Sequence, residues 1–159
     1  MLEQLLDEII HNEGKKETNR PNDSGGRTKY GISERWHPEE WVNGPPTLER
    51  AKEIYLHQYI IGPKIHMITP DYLMFQVADF GVPSGPAVAI RHLQRILNVD
   101  ADGEIGPLTL EALSKRDPEK INNLLVKSRV LMFSRLVQKR PKDLENLYGW
   151  NQRAFSFLR

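Results

Sequence analysis

Residues 11–32 read HNEGKKETNRPNDSGGRTKYGI, and the way this stretch leaves one element and enters the next decides how the chain begins to fold. Upstream of it, Leu2, Leu5, Leu6, Ile9 and Ile10 recur at helical spacing, so the first dozen residues are predicted to form an amphipathic helix. Glu13 comes four residues after Ile9 and seven after Leu6, which puts a carboxylate on the inward face at the helix's C-terminal end. Residues 14–31 are rich in Gly, Asn, Asp, Ser, Thr and Lys, which is loop or hairpin chemistry. A helix followed by a small β or loop element at about 17–33 is therefore expected.

Beyond that element the pattern is helical. Thr47 is placed to cap a helix carrying Leu48, Ala51, Ile54, Tyr55 and Tyr59 on one side. Residues 70–82, PDYLMFQVADFGV, are apolar nearly all round and predict a buried helix that PSGP breaks. Residues 87–98 predict another, with Val88, Leu93, Ile96 and Leu97 inward. A tight turn over 99–113 leads into a short helix, and Asp117-Pro118 opens the longest one, about 118–139. Its apolar residues are Ile121, Leu124, Leu125, Val130, Leu131, Phe133, Leu136 and Val137. Pro141 starts a short segment, and GWNQRAFSFLR closes the chain as a helix. The expectation is a mainly α fold, 1–159 as a single domain, with no internal repeat and no linker.

Composition narrows the function. At 159 residues the chain is long enough for one compact domain with a core. A net charge of +1, with basic residues spread among acids, gives no electrostatic footprint for nucleic acid. The absence of cysteine excludes disulfides and thiolate metal sites. No apolar run reaches the length of a membrane span, and the N-terminus lacks the pattern of a signal peptide. Neither membrane insertion nor a cofactor is expected.

Partial burial of Glu13 would disfavour its charged form, and the negative end of the helix dipole acts in the same direction. A carboxyl group protonated near neutral pH is a general acid. The same position also suits a glutamate fraying into solvent, and spacing does not separate the two readings. Asp23 lies ten residues on, in a loop whose Gly25 and Gly26 permit close approach to a substrate. It fits an Asx turn equally well. Two carboxylates flanking a cleft are what glycoside hydrolysis requires, and the Thr28 hydroxyl is suited to holding a water.

These residues carry a resemblance. Glu-Gly at the end of the first helix, then Asp23, Thr28 and Gly31-Ile32, resemble the Glu–Asp–Thr arrangement of phage-type lysozymes. The longer pattern resembles the glycoside hydrolase family 108 N-acetylmuramidases, found as phage endolysins and bacterial secretion activator proteins. It comprises NEG, PNDSGGRTKYGIS, the Tyr-rich helix at 54–59, ADFGVPSGPAVAIRHLQRIL, DGEIGPLTLEAL and GWNQR. The resemblance runs from about residue 5 to residue 153. It implies a lysozyme-like fold and hydrolysis of the β-1,4 bond between N-acetylmuramic acid and N-acetylglucosamine in peptidoglycan. It makes Glu13 the acid, gives Asp23 and Thr28 catalytic positions, and draws Tyr30, Gly31 and Trp150 towards substrate. The family usually has Glu-Gly-Gly-Tyr where this chain has Glu13-Gly14-Lys15-Lys16. It has Asn where Pro83 stands, which hands a polar substrate contact to Ser84. The family also implies a protein made in the bacterial cytoplasm and released to the wall through a separate holin-type pore.

Residues 93–113, LQRILNVDADGEIGPLTLEAL, resemble the peptidoglycan-binding repeat. They imply a wall-facing surface that includes Gln94, within a helical segment at about 86–140 integrated in the domain. An equally good reading makes it a structural corner, set by Gly103 and Gly106 and packed by Leu93, Leu97, Ile105, Leu108 and Leu110. A calcium loop at Asn98, Asp100, Asp102 and Gly103 lacks its bidentate glutamate, since Thr109 stands there. The five histidines show no zinc spacing. Trp36, Trp41, Trp150, Tyr30, Tyr55, Tyr59 and Tyr148 are candidates for stacking on sugars. The competing functions are a non-catalytic wall-binding or secretion-accessory protein and a lytic transglycosylase, which needs only one acid. The long loop between Glu13 and Asp23 leans towards inversion for a hydrolase.

Overall fold

A computed structural model describes residues 2–14, 17–19 and 26–159. The Asp23 and Lys15-Lys16 positions singled out in the sequence lie outside the described residues. Seven α-helices and one two-stranded sheet are present among the described residues, so the chain is mainly α as expected. Contacts gather the chain into two units, residues 1–58 and 59–159.

In the first unit, α1 (Leu2–Glu13) buries Leu5, Leu6, Ile9 and Ile10, the stripe the spacing predicts. Gly14, at φ 93°, ends it, and its N–H reaches the Ile10 carbonyl at 3.1 Å. Strands β1 (Thr28–Lys29) and β2 (Ile32–Ser33) pair antiparallel, with Thr28 opposite Ser33 and Lys29 opposite Ile32. That register leaves Tyr30 and Gly31 as a two-residue turn. Both have positive φ, 53° and 77°, the combination that matches the twist of a tight hairpin. Thr18 bridges the other side of Thr28 through two 2.8 Å backbone bonds. Helix α2 (Leu48–Leu56) is capped by Thr47, whose hydroxyl accepts from Arg50 N–H at 3.2 Å. It packs Ala51, Ile54 and Tyr55 inward. Lys52 reaches Glu3 and Asp7 of α1 at 2.5 and 2.7 Å. Pairs this exposed set orientation more than they add stability.

In the second unit, α3 (Asp71–Ser84) and α4 (Pro86–Leu97) pack on each other, and α6 (Pro118–Lys139) packs on both. The predicted break at PSGP narrows to Gly85. Helix α3 runs through Pro83 because a proline in a last turn forfeits only one helical bond, and Gly85, at φ 90°, makes the corner. Gly81 lets the two helices meet: a Cβ there would stand 3.1 Å from Pro86 Cα. Helix α5 (Pro107–Ser114) follows the 98–106 turn. Helix α6 has the predicted bounds and its Asp117 cap, but Leu124 and Leu131 lie exposed. The inward stripe instead takes Asn122 and Arg129 among its apolar residues. Helix α7 (Leu144–Phe155) begins well before the predicted Gly149. A 3-10 turn at Pro141–Asp143 feeds it directly, and packing on α6 offsets the interior glycine.

A polar cluster sits inside this core. Arg129, 1% exposed, donates to Asp79 Oδ2 at 2.6 Å, and Arg153 of α7 donates to Asp79 Oδ1. The Arg129 guanidinium also lies 5.3–5.8 Å from the ring centroids of Phe80, Phe133 and Phe157. Burial pulls Arg129 below its ordinary pKa, and the Asp79 carboxylate opposes that. The acid fastens the last helix to α3 and α6.

Candidate functional site

Glu13 is the last residue of α1 and lies exposed at the end of the buried stripe. The residue is more exposed than the half-buried placement expected from spacing. Gly14 stops the helix immediately after Glu13, so no further turn covers it.

What lies against Glu13 is the hairpin turn. A Cβ on Gly31 would stand 2.9 Å from Glu13 Oε2, 3.0 Å from Glu13 Cβ, and on top of the Tyr55 hydroxyl. Gly31 is therefore required twice, by its positive φ and by this close approach. The Tyr55 hydroxyl donates to the Tyr30 carbonyl at 2.8 Å and holds the turn in place. Across the hairpin, Arg27 grips Glu34 with two bonds of 2.8 and 2.7 Å and lies over the Trp41 ring at 5.0 Å. The Arg27 contact pulls the Glu34 carboxyl below its ordinary pKa. Arg50 clamps Glu40 in the same two-point way, both at 2.7 Å.

The structure thus brings Glu13, Tyr30 and Gly31 together. Thr28 stands on β1 two residues before the turn, its hydroxyl donating to the Gly26 carbonyl at 3.4 Å. Ser84, Gln94 and Trp150 belong to the second unit. Ser84 is the half-buried end of α3. Trp150 is half-buried against Phe133, centroids 5.2 Å apart.

Gln94 is not available to a substrate. It is 1% exposed. Its amide nitrogen faces Asp102 Oδ1, the Glu104 carbonyl and Thr109 Oγ1 at 2.8–3.1 Å, and its oxygen accepts from Gly103 N–H at 2.9 Å. The 98–106 turn is therefore tied around Gln94. Hydrogen bonds from Glu104 N–H and Gln94 hold the Asp102 carboxyl below its ordinary pKa. Gly103 has positive φ, but Gly106, at φ −129°, does not. Leu108 is 72% exposed and does not pack the corner, because the inward position of α5 goes to Thr109, bound to Gln94.

Of the aromatic candidates, Trp41 and Tyr55 are buried, whereas Trp36 and Tyr148 are exposed. Tyr55 acts through its hydroxyl rather than its ring face, and no spacing in the sequence signals its partner. Asp79 could have been noticed as the one charged residue beyond the first turn of a largely apolar helix, since a buried charge demands a partner. Among the described residues no group of three His, Asp or Glu side chains is arranged to hold a metal ion.

The family described as Glycosyl hydrolase 108 matches residues 6–85, and one described as Predicted Peptidoglycan domain matches residues 88–155. The chain belongs to the glycosyl hydrolase 108 family, a peptidoglycan-related family of glycoside hydrolases. A solved structure titled "Structure of Brucella abortus SagA" is similar, with a TM-score of 0.75 and 26% identity over 99% of this chain and 95% of that one. Curated protein sequences yield no match. The two matched segments meet at the α3–α4 corner, so α3 is matched with the first and packs in the second unit.

Proposed function

We propose that this protein is an N-acetylmuramidase that cleaves the β-1,4 bond between N-acetylmuramic acid and N-acetylglucosamine, with Glu13 as general acid. The observation that carries this reading is the approach of the Tyr30–Gly31 turn to the Glu13 carboxylate. A glycosidase acid has to be held at one place beside the scissile oxygen. The helix end supplies the place, the Gly31 turn packs against one side of the side chain, and Glu13 stays exposed to a sugar.

Glu13 gives its proton to the glycosidic oxygen as the C1–O bond breaks, and N-acetylglucosamine leaves as the alcohol. Water adds its oxygen to C1 of N-acetylmuramic acid and loses a proton to a base. In this reading Asp23 is the base or the stabiliser of the developing cation, and Thr28 orients the water. A glycan seated over Glu13 withdraws it from water, the condition under which a carboxyl keeps its proton.

The test is digestion of purified peptidoglycan by wild type and Glu13→Gln, matched for folding by circular dichroism, with fragments read by mass spectrometry. Wild type is expected to release fragments with reducing N-acetylmuramic acid ends, and the variant to be slower by about 10²–10⁴-fold. Anhydro ends would reassign the reaction to a lytic transglycosylase. Equal release by both proteins would remove Glu13 from the chemistry.

A further inference from the structure

Charge that looks evenly spread along the chain is gathered on one side of α6 by its helical register. Lys120, Leu124, Ser128, Leu131 and Arg135 recur every three or four residues, so they form one stripe about 22 Å long. The stripe faces outward. Lys120 and Arg135 are exposed, and Leu124 and Leu131 are 37% and 44% exposed. At its middle, Ser128 Oγ lies 2.6 Å from His92 Nδ1, which sets α4 along one edge and brings Arg95 with it. Arg95 follows His92 by three residues and Arg135 follows Ser128 by seven. Helical side chains lean towards the N-terminus, so both arginines lean back towards the His92–Ser128 pair. Burial and then the charges of these two arginines hold the His92 pKa down, which agrees with guanidinium groups gathered near the ring. No carboxylate answers them. Residues 80–99, which include all of α4, and residues 120–142 contain no Asp or Glu. Glu119, the one acid of α6, is turned away from the stripe by the register. Among the described residues Arg95, Lys120, Lys127 and Arg135 make no ion pair, whereas Arg27, Arg50, Arg129, Arg140 and Arg153 each hold a carboxylate.

We propose that this α4–α6 face is a docking surface for an anionic phospholipid bilayer, on which the protein lies without spanning it. The inference does not depend on the muramidase reading. Its support is the pairing of charge with apolar surface. Unpaired Lys and Arg side chains on one helix face are attracted to acidic headgroups, and the His92–Ser128 pair between two arginines offers hydrogen bonds to a phosphate oxygen. Leu124 and Leu131 stand in the same stripe as the cations. At a bilayer they enter the boundary between headgroups and acyl chains, and burial of that apolar surface adds to the attraction. A nucleic acid or a soluble polyphosphate engages the cations and leaves both leucines in water. A second copy of this face would set cation against cation. No helix among the described residues is long and apolar enough to cross a membrane, so the contact is with the surface.

The experiment is co-sedimentation of the full chain with vesicles of phosphatidylcholine alone and of phosphatidylcholine mixed with phosphatidylglycerol. Wild type is compared with Arg95→Gln/Arg135→Gln, with Leu124→Ser/Leu131→Ser, and with Lys64→Gln/Arg116→Gln. The last removes the same charge from exposed residues that lie on neither α4 nor α6. Wild type is expected to sediment with the phosphatidylglycerol vesicles, to be released by high salt and to ignore phosphatidylcholine. The arginine variant should bind about tenfold more weakly or worse, and the leucine variant about threefold or more. The equal-charge control should bind like wild type, and thermal unfolding of the arginine variant should match wild type because both side chains are exposed. Wild type that sediments with neither vesicle overturns the proposal. A control as weak as the arginine variant also overturns it, since net charge rather than this face would then be responsible. Unchanged binding by the leucine variant, with displacement by soluble inorganic polyphosphate, overturns the lipid assignment and leaves a general polyanion site.

Discussion

The Tyr55 hydroxyl donates to the Tyr30 carbonyl at 2.8 Å across 25 residues of chain. It ties the buried side of α2 to the hairpin turn beside Glu13. Tyr55→Phe removes the hydroxyl and keeps the buried ring. The expected loss of stability is about 1 kcal/mol, read from urea unfolding. Hydrolysis of peptidoglycan should fall more than stability alone explains, because the turn is then free to shift against Glu13. A variant with wild-type turnover would show that the tie is only structural.

Gly31→Ala tests the approach of turn and acid. The methyl would land on the Tyr55 hydroxyl and beside Glu13 Oε2, at a φ of 77° that strains any side chain. The left-handed conformation alone costs about 1–2 kcal/mol. Peptidoglycan cleavage should be lost in protein that still shows a helical circular dichroism spectrum.

The buried cluster makes a sharper stability prediction. Asp79→Asn leaves the Arg129 guanidinium buried without its counter-charge, and should cost about 3–5 kcal/mol. Replacing both partners, Asp79→Leu with Arg129→Met, should recover much of that loss, since neither charge is then stranded. Denaturant midpoints of the single and double variants decide it. A double variant no better than the single would mean that the Arg153 contact, which the amide oxygen of Asp79→Asn can still accept and Asp79→Leu removes, carries the energy.

Gln94→Leu separates structure from recognition. It leaves the Gly103 N–H and Thr109 hydroxyl without partners, at about 1–3 kcal/mol for each group stranded. Stability should fall, while binding of the folded fraction to peptidoglycan should match wild type. Loss of binding below the unfolding temperature would restore Gln94 to the substrate.

His92 predicts a pH dependence. Its Nδ1 lies 2.6 Å from Ser128 Oγ, and its ring packs on Phe80 with centroids 5.2 Å apart. Burial first, then the positive charges of Arg95 and Arg135, holds its pKa below the ordinary 6.5. The folded state therefore binds this proton less readily than the unfolded chain. The penalty is absent above the ordinary histidine range and grows as pH falls through 6.5 towards the lowered folded value. Thermal scans from about pH 8 to about pH 5 should show a steeper loss for wild type than for His92→Gln. Parallel curves would exclude the linkage.

The elements whose signals are local were legible in the sequence. Thr47 and Asp117-Pro118 start helices because a cap is satisfied within three residues. The apolar stripe of α1 was readable from period alone, and the permissive backbone expected at Gly26 is used, at φ 69°. The family resemblance, carried by the block around PNDSGGRTKYGIS and the helical motifs after it, pointed to the same hydrolase family that the comparisons found. What depended on partners distant in sequence was not legible. Asp79 meets Arg129 and Arg153 across 50 and 74 residues, and no spacing encodes that meeting. Gln94 looked like part of a wall-binding motif, and only packing placed its amide inside the turn. Glu13 was expected to be half-buried because periodicity assigns a face to a residue; whether anything covers that face is settled by the chain that folds back over it. Short-range hydrogen bonds and side-chain period are properties of a segment. Burial and charge pairing are properties of the assembled core, and only the tertiary structure decided them.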